Sequence, residues 1–459
     1  MTIVAQGFTE QLVEHVITLP GERVTEEARE ATKRLFLDFL AVAVGGRRLA
    51  ESSSIILEGT RRLAGTSSGP CTIIGEEAGY PAQYAALANG ALVHSMDFDD
   101  THQHAYLHPG APIFASLLAL AEAEGKGGFE FLTAAVMGYD VACKVGLVTG
   151  PVIIERGFHP TGILGVFGAT AAGARLLGLS QEQALNALGI NLSQAAGTQQ
   201  FLVNGTWTKR LHVGLGAHNA IYALTFAGLG FEGSVSPLDG RDGLYHCFAG
   251  EDQPALELAV DGLGERFEVQ NTAIKPFPCC RMIHGPLDAV TEIQKTQRIS
   301  PEDVAEVEVA LSPAAYRVVA DPPDVKRTAA TVGQGQFSIY FALAAAMVNG
   351  GFSWQSYESL QDPTVREMMP RVTALSDDSL RGYHSRLTII TKDGDRLTRE
   401  VPFPKGEPEN PVSWEDLEPK VWSLAGEPLG AQRLERLISM VRNLESVDDL
   451  RELTALLRP

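Results

Sequence analysis

Residues 25–46, TEEAREATKRLFLDFLAVAVGG, set the architecture. Thr25 offers an N-cap hydroxyl, and Glu26 and Glu27 put negative charge into the first turn. Ala31, Leu35, Phe36, Phe39 and Leu40 then recur at helical spacing. The pattern predicts a helix that ends at Gly45-Gly46. Much of the first half reads the same way, at 110–124, 129–145, 162–177, 184–197 and 212–229. The fourth of these opens on the capping box Ser180-Gln-Glu-Gln183. Gly and Ala crowd the third and fifth, as helices in close contact require.

The period changes near residue 265. Over 305–311, Val307, Val309 and Leu311 share one face, and Glu306 and Glu308 the other, which is a half-buried strand. Residues 387–391 and 396–401 flank Asp393-Gly394, a hairpin signal. Residues 336–347 read as a helix between these strands, and 431–443 and 446–457 return to helix. The expected fold is mostly α. A large all-helical domain spans 1–267 and 404–459, with a smaller α+β domain inserted at 268–403.

The chain has 459 residues, 37 basic and 56 acidic, for a net charge of −19. That balance argues against nucleic acid as a partner. A small anionic substrate would need a local cluster of cations. Five scattered cysteines make no disulfide framework and fit a reducing cytoplasm, and the adjacent Cys279 and Cys280 form no CxxC pattern. Residues 1–7 lack the basic-then-apolar order of a signal peptide. The apolar runs 36–45 and 111–123 are too short or interrupted for a bilayer, so no membrane association is expected.

The densest polar stretch is NGALVHSMDFDDTHQHAYLHPG, residues 89–110. It holds Asp97, Asp99 and Asp100 with His94, His102, His104 and His108. Three chemistries compete for it. His102, His104 and an aspartate resemble metal ligands, but no second cluster has ligand spacing. Asp97-Phe-Asp99-Asp100 matches a terpene-cyclase protonating motif, but aromatics are only 7% of the chain, too few for carbocation-stabilising walls. Acid–base chemistry on a carboxylate is the third, and other segments strengthen it. His159 precedes a small-residue helix whose N-terminus suits an anion. Lys209, Arg210 and His212 lie within four residues, and Lys275, Arg281 and His284 follow near the domain boundary.

These segments resemble the MmgE/PrpD family. The resemblance is carried by HSMDFDDT (94–101) with HP (108–109), GFHPTG (157–162), TKRLHVG (208–214), KPFPCCRMIHGPLDA (275–289), GQFSIYFALA (335–344) and LFLDFLAVAVGG (35–46), in the family's order over nearly the whole chain. It implies a helical domain, an α+β lid, a homodimer, and a small di- or tricarboxylic acid as substrate, with no metal or organic cofactor. By motif position it implies catalytic roles for Asp97, Thr101, His108, His159 and Lys209. Lys275, Arg281, His284, Arg210 and His104 are the candidates for binding substrate. Trp207, beside the Thr-Lys-Arg turn, predicts a pocket narrowed on that side.

Removing a proton next to a carboxylate needs a placed base and cations that hold the developing charge. His108 and His159 are candidates for acid and base, Lys209, Lys275 and Arg281 for the clamp, and Asp97 for orienting a neighbour. Dehydration of the methylcitrate dehydratase type ranks first, because it demands least beyond these parts. Decarboxylation of the cis-aconitate type or epimerisation of the iminodisuccinate type are the alternatives. A non-catalytic carboxylate binder and a metal hydrolase are the rivals from other classes.

Overall fold

The computed structural model describes residues 7–250, 256–297 and 299–459. The reading of residues 1–7 as lacking a leader falls, but for Gly7, outside them. The molecule is mostly α, and its chain divides into two compact units, 1–273 with 413–459, and 274–412.

In the first unit, the helix predicted from Thr25 runs Glu26–Leu49, with Thr25 Oγ1 accepting from Ala28 N (3.2 Å). It does not stop at Gly45-Gly46. Gly46 lies where the backbone of helix Ala82–His94 crosses, and a Cβ there would stand 2.2 Å from Leu92 O. The glycine pair is a packing device, not a stop signal. The same device seats helix Thr208–Gly228 on Ala82–His94. A Cβ on Gly214 would lie 2.3 Å from Leu87 O, and one on Gly90 3.2 Å from Gly214 Cα. That helix starts four residues before the predicted 212, which puts Lys209 in its first turn. Helix Gln181–Leu192 ends five residues before the predicted 197, and the released segment closes against residues 157–159.

Helix Gly128–Thr149 is long and apolar enough to cross a membrane, a length the sequence reading missed. Nearly all of it is buried in this unit, where it packs as a core helix. Helices Phe8–Thr18, Ser53–Ala64 and Ala82–His94 were not predicted, nor was Trp414–Leu429, hidden in the sequence by Pro419 and Pro428. The unit is not wholly helical, since it also holds two two-residue ladders, Cys71–Thr72 with Gly79–Tyr80 and Thr101–His102 with Thr272–Ala273.

The second ladder explains why the boundary falls after residue 273, not after 267. Glu268 is tied into the first unit through His102 Nε2 (3.2 Å), the Lys144 ammonium (3.4 Å) and its own backbone N–H to Asp140 (2.7 Å). On the return, residues 404–412 stay with the second unit, because Ile274 N donates to Gly406 O and Lys405 N to Asp288.

The second unit is a four-stranded sheet ordered Val372–Ser376, Val304–Leu311, Ser385–Thr391, Arg396–Val401. The first pair is parallel (Val307 opposite Val372) and the others antiparallel (Val309 opposite Leu387, Leu387 opposite Arg399). Val307, Val309, Leu311, Leu387 and Ile389 turn inward, as the alternation predicted, and share one core with helices His284–Gln297 and Ile339–Asn349. Gly394 takes φ +91° in the predicted hairpin turn. The helix predicted from 336 starts at Ile339 because Ser338 Oγ caps it, accepting from Phe341 N.

Candidate active site

The loop between helices Ala82–His94 and Gly110–Glu124 carries the polar stretch. Asp97 sits there at φ +52°, a left-handed conformation that aspartate tolerates better than most residues. From it the three carboxylates separate. Asp97 Oδ1 accepts from Lys209 Nζ at 2.6 Å. Asp99 meets His94 Nδ1 at 2.7 Å and His108 Nδ1 at 3.4 Å. Asp100 accepts from Gly110 N (3.1 Å) and Tyr139 OH (2.6 Å), and so caps the next helix. Burial pushes Asp100 up to about 8, which leaves it protonated at neutral pH. Burial would raise Asp99 too, but His94 and His108 beside it hold it well below the usual carboxylate range.

His108 lies between the two ionised carboxylates, with Nε2 3.9 Å from Asp97 and its backbone N–H donating to Thr161 Oγ1 (3.1 Å). Its ring stands edge-on to His94 at 4.8 Å, and His94 stacks on His159 at 5.7 Å. His159 is the N-cap of helix Pro160–Leu177, and its backbone N–H is held by Gly197 O (3.0 Å). Its Nδ1 is 3.1 Å from His212 Nδ1, on the helix that also carries Lys209. Burial lowers His94 to about 4. Burial also drives His159 well below its usual value, with His94, Lys209, His212 and His108 adding to the effect. His212 is lowered by burial and by Lys209. The site sets the Lys209 ammonium and the Asp97 and Asp99 carboxylates among four imidazoles, of which His94, His159 and His212 resist protonation.

Of the predicted catalytic residues, Asp97, His108, His159 and Lys209 come together here. Thr101 lies on the same loop, paired with Ala273, its hydroxyl buried without a hydrogen-bond partner among the described residues. Three cluster members, His94, Asp99 and His212, were noted in their segments but given no individual role. The signal for His212 was helical spacing, since it stands three residues after Lys209 on one helix face.

Several predicted binding residues are placed elsewhere. His104 is exposed, its ring edge-on to His102 at 6.5 Å. His102 has both nitrogens engaged, Nδ1 by Ala105 N and Nε2 by Glu268, so this pair does not present a metal site. Arg210 is buried with Nη1 donating to Ser52 Oγ (2.8 Å), a structural contact. Trp207 is exposed beside it, 5.9 Å from the guanidinium carbon, so its indole is turned to solvent instead of narrowing the cluster.

Lys275, Arg281 and His284 belong to the second unit and are buried there. Arg281 bonds Glu407 (2.5 Å), Lys405 O (3.0 Å) and His284 Nδ1 (2.8 Å). Each of its guanidinium nitrogens has a protein partner, which corrects its reading as a free carboxylate clamp. His284 Nδ1 must accept from Arg281, so its Nε2–H donates to Cys279 O (3.3 Å). His284 is a neutral link in that knot.

Ligand atoms of His94, Asp99 and His108 lie within 4.8 Å of one another. An ion there would have to displace the His94–Asp99 hydrogen bond and sit close to the Lys209 ammonium.

Comparison with known proteins covers nearly the whole chain. Residues 10–257 match the MmgE/PrpD N-terminal domain, and 277–446 the MmgE/PrpD C-terminal domain. Cis-aconitate decarboxylase from Mus musculus is 30% identical over 99% of this chain and 94% of its own length. The Homo sapiens enzyme of that name is 28% identical (99% and 95%), and that of Aspergillus terreus 25% (98% and 96%). The matches run end to end and include the segments that build the site. The chain belongs to the MmgE/PrpD family, and it is a lyase.

Proposed function

We propose that this protein is a carboxy-lyase that removes CO₂ from an unsaturated tricarboxylate of the cis-aconitate kind. The sequence reading ranked dehydration first; the similarity to decarboxylases over the full chain favours its alternative. In this chemistry the C–CO₂⁻ bond breaks and its electron pair becomes a new double bond. The old double bond takes up a proton on the carbon next to its own carboxylate. The enzyme must stabilise charge on that carboxylate and deliver one proton.

The observation that carries the reading is the convergence of Lys209, Asp97, His108 and His159 in one buried cluster. Lys209 is the cation for the developing dienolate, and Asp97 aims its ammonium. His159, held neutral by burial, can give its proton to carbon only as a second proton replaces it. Incubation with cis-aconitate, citrate, methylcitrate and iminodisuccinate in D₂O tests it. The expected outcome is CO₂ release from cis-aconitate with one deuterium next to a product carboxylate. Alkene formation from citrate or methylcitrate without CO₂ would return the assignment to a dehydratase.

The assembly fits a homodimer. Leu211, Leu215, Tyr222, Phe226 and Leu229 form an exposed stripe along helix Thr208–Gly228, with Phe231 just beyond it. Such a stripe on a soluble chain is a surface that a second copy covers.

A further inference from the structure

We propose that His212 is the relay through which His159 exchanges its proton with solvent, and that the two imidazoles work as one neutral proton wire. The inference rests on the acid–base reading of the site given above.

His159 is buried and His212 half-buried, with their Nδ1 atoms 3.1 Å apart. At that distance one Nδ1 carries the hydrogen and the other accepts it, so the two tautomers are locked to each other. His159 Nε2 makes no hydrogen bond to a described residue and is left for the substrate.

The groups facing His159 are the rings of His94 and Phe201, with His108 and Lys209 acting through their charge. His212 faces Phe201 and Lys209, and its ring lies against Gly197. No carboxylate among these partners steadies an imidazolium on His159, and its position at a helix N-terminus opposes one further. A wire that never charges either ring avoids that cost. His159 releases its Nε2 proton to the substrate carbanion while its Nδ1 takes the Nδ1 proton of His212. His212 takes a replacement from water at Nε2. One proton leaves water, whose hydroxide is taken up by the released CO₂ as bicarbonate; one proton reaches carbon, and both rings stay neutral with their tautomers exchanged. His212 flanks the exposed apolar stripe, three residues before Leu215 on the same helix, and is half-buried.

His212→Asn keeps a hydrogen-bonding group near the Nδ1 position but cannot pass a proton. The expected result with cis-aconitate is a kcat lowered about tenfold or more in dilute buffer, with KM changed less than about twofold, and kcat restored as imidazole is added. Wild-type kcat should not respond to imidazole, and His212→Gln should behave as His212→Asn does. A variant within about twofold of wild type, or one whose loss imidazole does not relieve, would overturn the relay while leaving the decarboxylase reading in place. If neither variant folds, the wild type decides alone. Two protons moving together give a curved dependence of kcat on the deuterium fraction of the solvent, and a straight line overturns the proposal. A wild-type protein inert towards all four acids would remove the functional reading and the relay with it.

Discussion

Replacing Lys209 by methionine keeps the length of the side chain and deletes its charge. Asp97, 4% exposed, then loses an ammonium 2.6 Å away. Deleting one partner of a buried ion pair costs about 3–5 kcal/mol, because the surviving charge stays desolvated. Both side chains retain a little exposure (13% and 6%), and His108 Nε2 remains 3.9 Å from Asp97. A cost of about 2–3 kcal/mol is therefore expected, below the fully buried range. For a chain of this size about 1 kcal/mol moves Tm by about 2 °C, so Lys209→Met should melt about 4–6 °C lower. Adding Asp97→Asn removes the stranded charge and should return most of that loss. Turnover should behave differently. CO₂ release should fall about 100-fold or more in Lys209→Met and stay low in the double variant, since the cation at the reacting centre is still missing. Calorimetry and CO₂ release on the same preparations separate the two effects. A double variant that regains turnover would show that Lys209 serves only as the counter-ion of Asp97. A Lys209→Met protein with wild-type Tm would show that the pair is not energetically coupled.

His159→Ala should lower turnover by about two orders of magnitude in a folded protein; retained activity would remove it from the mechanism. Asp100, raised to about 8, binds a proton in the folded state that the unfolded chain has lost above the ordinary aspartate value of 3.8. Stability from this group is therefore lost as pH rises between those values, by about 1.4 kcal/mol per unit, and is flat above. Asp100→Asn should show a shallower decline than wild type in denaturant titrations between pH 5 and 8, and identical slopes would refute the assignment. Leu215→Glu with Phe226→Glu should turn a dimer into a monomer by light scattering, and a wild-type protein already monomeric would dismiss the interface.

The sequence reveals what is local. Caps, helical spacing and strand alternation located most helices of the first unit and the buried face of the sheet, because each depends on neighbours within a few residues. It does not reveal which charge meets which. Asp97, Asp99 and Asp100 read alike on paper, yet one pairs with a lysine 112 residues away, one with two imidazoles, and one caps a helix and stays protonated. His102 looked like a ligand until Glu268, 166 residues on, claimed it. Arg281 looked like a clamp until Glu407 did the same. Helix Trp414–Leu429 hid behind its prolines, a local signal that tertiary packing overrides. The motif positions named Lys209 and His159 directly; His212 was noted beside Lys209, but its pairing with His159 shows only once the helix is seen to start at Thr208 and the loop at Gly197 to close on it.

The charge of the cluster leads to a final prediction. Asp97 and Asp99 are matched by Lys209 and the nearby Arg210, so the ligand-free cluster has no surplus of positive charge for a tricarboxylate. Its imidazoles are the local reserve. A bound trianion shifts the imidazoles of the cluster towards their protonated forms. Among the described residues His159 has no carboxylate beside it, and burial holds it neutral. Binding should therefore draw protons from solution and weaken as pH rises. Propane-1,2,3-tricarboxylate, saturated and unable to decarboxylate, is the probe. Its binding heat at pH 6 should vary with the ionisation enthalpy of the buffer in the direction of proton uptake. Measurable binding with no buffer dependence would mean that the site meets its substrate with cations already in place, and that the imidazoles contribute no charge to holding it.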